Sequence, residues 1–233
     1  SKTIKYFSFA HNDEFTTIGA EAFMNSSLRN VDLFDSVTTI GARAFAGCTQ
    51  LEALTLPDSL TTIGEGALDG LTGLKKLVIQ CDPAIIPAGV FANLPALSDV
   101  TVEFGAIPAH MFEGSGVTVL TLGAGVTEIG DSAFAYCTGL ETLTIGKKVT
   151  NIVEKAFIYA GNKNTVINFE TGSKYAYVKK DAFYRLTAKE INLPASAVTF
   201  DGEAFRMCEA EVKFHEDTTL TTVVADMFKD YLG

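Results

Sequence analysis

The chain has 233 residues, 47% hydrophobic and 20% charged, which suffices for a packed core and is unlike a disordered composition. A formal net charge of −10 argues against nucleic acid as a partner, and the lack of any apolar run of 18 residues argues against membrane insertion by this segment. The opening residues 1–4 carry no signal-peptide core.

The chain reads as a tandem repeat. An aromatic anchor, usually in an Ala-Phe pair and once leucine, stands at Phe23, Phe45, Leu68, Phe91, Phe112, Phe134, Phe157, Phe183, Phe205 and Phe228. Successive spacings are 22, 23, 23, 21, 22, 23, 26, 22 and 23. Five residues ahead of each anchor lies a large apolar residue: Ile18, Ile40, Ile63, Ile86, Ile107, Ile129, Ile152, Val178, Phe200 and Val223. The residue just before the anchor is alanine in seven repeats.

The elements follow in the same order in each repeat. After the second anchor, Leu51, Leu54 and Leu56 form a Leu-x-x-Leu-x-Leu run. Its alternation predicts a short strand with Thr55 on the outer face. Pro57 ends that strand, as Pro194 does later, because proline cannot donate to a ladder. A second extended piece, Thr61-Thr62-Ile63, turns at Gly64 into a tight helical turn carrying the next anchor. Repeats four and five replace Ile-Gly with Ile86-Pro87 and Ile107-Pro108. The run recurs as Leu140, Leu143 and Ile145, and the stretch from Phe157 to Phe183 is longer and less regular. The chain stops on an anchor turn, which leads us to expect a fragment of a longer protein. One such coil cannot bury its own apolar face, so neighbours must stack. The prediction is a single α/β solenoid domain over 1–233, right-handed and about ten coils long. Short parallel strands line one side, with short helical turns and loops on the other.

The unit running through Leu51, Leu54, Leu56-Pro57, Ile63-Gly64 and Ala67-Leu68 resembles BspA-type leucine-rich repeats, over nearly the whole chain. The resemblance implies a secreted or cell-surface protein of bacteria or protozoa. It also implies adhesion to host extracellular matrix proteins or to other cells.

Cys48, Cys137 and Cys208 each stand three residues after an anchor, where Leu71, Leu94, Ala160 and Leu186 stand in other repeats. They therefore read as small core residues. Four stacked strands put Cys48 and Cys137 roughly 19 Å apart, far beyond the ~7 Å that a disulfide allows. With Cys81 they are predicted to be free thiols. His11, His110 and His215 lie in different repeats, with no Cys or His pair at metal-ligand spacing. Neither a phosphate-binding loop nor a nucleophile elbow occurs, so no metal, no cofactor and no enzymatic activity are expected.

Charge is uneven. From Lys147 to Lys189 there are nine basic and three acidic residues, a balance of +6, against −16 for the remainder. That stretch also holds Tyr159, Tyr175, Tyr177 and Tyr184, so it is a candidate surface for an anionic glycan or acidic protein. By column, Tyr175 belongs to the core and Tyr177 is exposed. Glu154 with Lys180, and Lys155 with Asp181, are placed to pair across coils. Lys148 and Lys174 share a column with no opposite charge, and Tyr136, Tyr159 and Arg185 share another. A second candidate is the outer face of the strand sheet, with Thr55, Val78, Thr101, Thr121, Thr144, Asn192 and Lys213. The plain alternatives are a solvated charged face and threonine as an ordinary exposed strand residue. Three functional readings follow: a surface adhesion or recognition module for protein or glycan, a structural spacer that projects another domain, and, last, a catalytic domain.

Overall fold

The computed structural model describes residues 6–7, 14–170, 177–193, 199–214 and 228–230. The main ladder is a parallel sheet that takes one strand from each successive coil. Its strands are Tyr6–Phe7, Asn30–Val31, Ala53–Leu56, Lys76–Ile79, Asp99–Ile107, Val119–Ile129, Thr142–Ile145, Val166–Phe169, Thr187–Leu193 and Glu209–Phe214. Register follows the repeat, so Leu54, Leu77, Val100 and Leu120 stand in one inward file. About eight turns are complete among the described residues, against about ten expected. Pro57 does follow the end of its strand, while Pro194 lies outside the described residues.

The anchors form the spine of the core. Phe45, Phe91, Phe112, Phe134, Phe157, Phe183 and Phe205 are fully buried. From Phe91 to Phe228 the rings stack coil on coil at centroid distances of 5.1 to 5.9 Å, within 17° of parallel. Ile18, Ile40, Ile86, Ile107, Ile129, Ile152, Val178 and Phe200 are buried in the same cluster. Ile63 is half-buried and packs against it.

The turn that carries each anchor is not helical, which corrects the expectation of short helical turns. Among the described residues the one helix is a 3-10 turn, Pro83–Ile85. The backbone enters the left-handed region two residues before and two residues after the anchor. Glu21, Arg43, Gly66, Gly89, His110, Ser132, Lys155, Asp181 and Glu203 do so before it. Asn25, Gly47, Gly70, Asn93, Gly114, Tyr136, Tyr159, Arg185, Met207 and Asp230 do so after it. This alternation turns every second N–H along the solenoid axis. Arg43, Phe45 and Gly47 donate to the carbonyls of Glu65, Ala67 and Asp69 in the next coil, at 2.8 to 3.0 Å. The N–H groups between them bond locally instead, as Ala46 does to the Arg43 carbonyl. A right-handed helix would direct its donors along its own axis, to carbonyls of the same coil, and the turns would no longer bond to the next coil.

Among the described residues, the stack has a weak joint around coil four. A second parallel ladder runs through Thr17–Ile18, Thr39–Ile40 and Thr62–Ile63, then stops. It resumes where Ala106 and Ile107 pair with Glu128 and Ile129. In regular coils the residue after the inward isoleucine donates back, as Gly64 does to the Ile40 carbonyl at 2.8 Å. Pro87 and Pro108 hold that place in coils four and five and have no N–H. Leu68 also interrupts the phenylalanine stack there. Among the described residues, no turn bond joins 66–70 to 88–92.

Candidate functional site

The left-handed position two residues after the anchor changes character along the chain. Coils one to five fill it with Asn25, Gly47, Gly70, Asn93 and Gly114, types that accept positive φ at little cost. Coils six to nine fill it with Tyr136, Tyr159, Arg185 and Met207, at φ of 51° to 59°. Each bulky side chain there carries strain of roughly 1–2 kcal/mol. Strain of this kind persists where the surroundings enforce it and gathers at functional sites.

Those side chains form a ladder. The Tyr136 and Tyr159 rings stack at 5.3 Å and 6°. Tyr184 meets Tyr159 edge-on at 5.8 Å. The Arg185 guanidinium lies 5.7 Å from both the Tyr159 and Tyr184 centroids. Arg206 sits 4.3 Å over Tyr184, whose hydroxyl lies 3.6 Å from the Met207 sulfur. Tyr136 is 49% exposed and Tyr159 37%, whereas the anchor rings from Phe91 to Phe205 are fully buried.

The two arginines differ electrically. Arg206 is claimed by Asp181 at 3.1 Å and Glu203 at 3.6 Å. Arg185 has no carboxylate partner among the described residues. Its Nε donates to the Tyr184 hydroxyl at 3.1 Å, a bond that raises its already high pKa. The ladder therefore offers one uncompensated cation beside aromatic surface, where cation–π attraction holds the guanidinium in place.

Structure brings Tyr136, Tyr159 and Arg185 together and leaves the other candidates apart. Tyr177 is exposed on the second ladder, paired in register with Asn151 and Thr199, and its hydroxyl donates to Asp201. Lys148 is exposed on the turn between Ile145 and Asn151, while Lys174 and Tyr175 lie outside the described residues. Thr101 and Thr121 are neighbours on the outer face of the main sheet, with Thr144 beside Asn168 farther along. The ion pairs expected across coils seven and eight do not form. Lys180 reaches forward to Glu203 at 3.0 Å and Asp181 to Arg206, so both pairs join coils eight and nine. Column reading missed Arg206, and it named Tyr184 only within the basic stretch, not as part of this ladder. Their signal was available: both follow an anchor directly, in adjacent repeats.

All four cysteines are buried and free. Cys48 and Cys137 donate to the anchor carbonyls of the previous coils, Phe23 at 3.0 Å and Phe112 at 3.2 Å. Ser115 occupies the same column and bonds the Phe91 carbonyl at 2.6 Å. Burial pushes the Cys81 thiol up to about 11 and those of Cys137 and Cys208 up to about 12. Such thiols are inert at neutral pH. Among the described residues, no three His, Cys, Asp or Glu side chains converge as a metal site. His110 is held by Glu113 at 2.7 Å, and His11 and His215 lie outside the described residues.

Two further clefts lie elsewhere among the described residues. One, of about 440 Å³, is lined by Asp35, Asp58, Gln80, Glu103 and Phe104. The other, about 590 Å³, opens at the weak joint, around Ile86, Pro87, Ile107 and Pro108, with Glu128 and Asp131 on its rim.

The repeat architecture has counterparts among known proteins. The family model described as the BspA type leucine rich repeat region matches residues 16–138 and 105–231. A leucine rich cell surface protein from Faecalibacterium prausnitzii superposes with a TM-score of 0.40 at 22% identity, covering 80% of this chain and 57% of that one. A leucine rich repeat protein of T. pallidum gives 0.37 at 26% identity, over 67% of each chain. A leucine-rich repeat protein from Bacteroides ovatus gives 0.46 at 19% identity, over 82% of this chain and 47% of that one. The chain thus spans little more than half of the first of these structures and less than half of the third. No curated protein matches it.

Proposed function

Since the chain belongs to the BspA-type leucine-rich-repeat family, whose members are repeat proteins rather than an enzyme family, we propose that it is an extracellular adhesion or recognition module. It holds a protein or glycan partner on its extended surface, displayed on or outside the cell, and host extracellular matrix is one source of such partners. One observation carries this reading. Four successive coils keep bulky side chains at a left-handed position where glycine and asparagine serve coils one to five. Tyr136, Tyr159 and Arg185 make an exposed aromatic and cationic surface there that the packed core does not use, which supports its use in binding. Extended repeat surfaces suit this work because each coil adds one contact row. Lys148 and the outer threonines Thr101, Thr121 and Thr144 are secondary contacts.

The test is a binding screen of the purified chain against extracellular matrix proteins and a glycan array. A Tyr136→Asn/Tyr159→Asn double variant uses the asparagine that the same column already accepts. Loss of a wild-type hit in this variant supports recognition through the ladder. A hit left intact moves the site elsewhere.

A spacer that projects another domain is the second reading. It draws on the outer face of the main sheet, where Lys76 pairs with Asp99 at 3.1 Å and Lys213 with Glu190 at 2.5 Å. A surface that satisfies its own charges offers a partner little. A blank screen favours it.

A further inference from the structure

Resting on the recognition reading above, we infer that the ladder is a subsite for an acidic oligosaccharide: one pyranose ring stacks on the free face of Tyr136, and a carboxylate or sulfate farther along the chain reaches Arg185.

The free face exists because the ladder starts abruptly. Tyr159 covers one side of the Tyr136 ring. On the other side the corresponding position in coil five is Gly114, which supplies no side chain. The floor below is the Asn93 amide, whose oxygen lies 2.6 Å from where a Cβ on Gly114 would stand. The result is a step with an aromatic wall and an amide floor. An aromatic face carries partial negative charge and attracts the partly positive C–H face of a sugar ring. An exposed amide can both donate to and accept from the sugar hydroxyls.

The far end of the ladder supplies the charge. Tyr159 stands 5.3 Å from Tyr136, and the Arg185 guanidinium is 5.7 Å beyond Tyr159. The step and the cation are two rungs apart, more than a single pyranose spans, so the occupant is an oligosaccharide lying along the ring rims. Arg185 is the rung without a carboxylate, and guanidinium pairs with carboxylate or sulfate in forked geometry. The local excess of basic residues between Lys147 and Lys189 favours an anion on this half of an otherwise acidic chain.

An acidic peptide suits the surface less well. Peptides dock by adding a strand to an open edge or by filling a groove. Here the axial turn N–H groups of Phe134, Tyr136, Phe157 and Tyr159 are already bonded to the next coil. What remains exposed is ring, amide and one guanidinium.

The experiment is calorimetric titration of the chain with a heparin-derived tetrasaccharide, a hyaluronan hexasaccharide, a neutral chitotetraose and a hexaglutamate peptide. Both acidic saccharides should bind, and the chitotetraose at least tenfold more weakly. Tyr136→Asn and Arg185→Gln should each weaken acidic saccharide binding at least tenfold. Gly114→Gln, which fills the step without removing a ring or a charge, should do the same. Raising the salt should weaken the Arg185 contribution and spare the Tyr136 one. Circular dichroism and thermal melts check that each variant is folded. Hexaglutamate binding as tight as the saccharides, or Tyr136→Asn binding them as the wild type does, overturns the inference. A matrix-protein hit that is lost in Tyr136→Asn, with no saccharide binding, overturns it too while leaving the recognition reading intact. If nothing binds, both fall.

Discussion

Replacing Phe134 by alanine tests the spine of the fold. The side chain is 0% exposed and its ring lies between Phe112 at 5.2 Å and Phe157 at 5.4 Å, within 11° of parallel. Truncating a buried phenylalanine costs about 3–5 kcal/mol. Each ring pair accounts for about 0.5–1.5 kcal/mol beyond the buried area. With two pairs lost, the upper end applies, about 5 kcal/mol. Phe134→Leu separates the contributions, because it keeps most of the volume and loses both ring pairs. It should cost about 1–3 kcal/mol, twice the single-pair value, and the chain's own Leu68 shows that leucine fits the column. Urea unfolding should show a lower midpoint with an unchanged slope. Repeat arrays can lose cooperativity, so hydrogen exchange at the Phe112 and Phe134 amides serves as a second probe. Both amides donate to the next coil, to Ala133 and Ala156, and should lose protection first. A Phe134→Ala protein within 1 kcal/mol of wild type would refute the stacked core.

Gly64→Ala should destabilise by about 1–3 kcal/mol through overpacking, because the new Cβ would meet the Ala42 nitrogen at 2.4 Å, backbone against backbone. Gly19→Ala is its control, with nothing within 4 Å, and equal melting shifts would refute the close-approach argument. Ser115→Val leaves the Phe91 carbonyl and the Leu94 amide unmet and should cost about 1–3 kcal/mol. Ser115→Cys should be nearly neutral, since Cys48 and Cys137 make the same bond; matching unfolding midpoints for the two variants would contradict this. The thiols predict a pH dependence. Their folded pKa values are raised, so their stabilisation is complete below pH 9 and is lost as pH climbs toward 12. Cys137→Ser should flatten that alkaline decline, and a slope as steep as wild type would rule out thiol burial as its cause.

Much of the molecule was legible in the amino-acid order because a solenoid repeats its physics every coil. An apolar side chain that recurs near every 22 residues must point inward, so the anchor phenylalanines, the inward isoleucines and the thiol column could all be assigned by counting. Counting also put Tyr136, Tyr159 and Arg185 in one file. It could not say how the backbone supports them, because left-handed φ at that position follows from hydrogen bonds to the next coil, not from the residue's own preference. Nor could it say which way a surface side chain leans along the axis. Lys180 and Asp181 were expected to reach back to coil seven and instead reach forward to coil nine, to Glu203 and Arg206, which stand one and three columns farther along their coil. The weak joint is intermediate: Pro87 is visible as a departure, but the loss of the ladder beside it emerges only once coils three and four are stacked. Spacing determines which side chains share a row, since a strand or turn has a fixed period; tertiary packing decides which neighbours in that row touch, since each has one on either side.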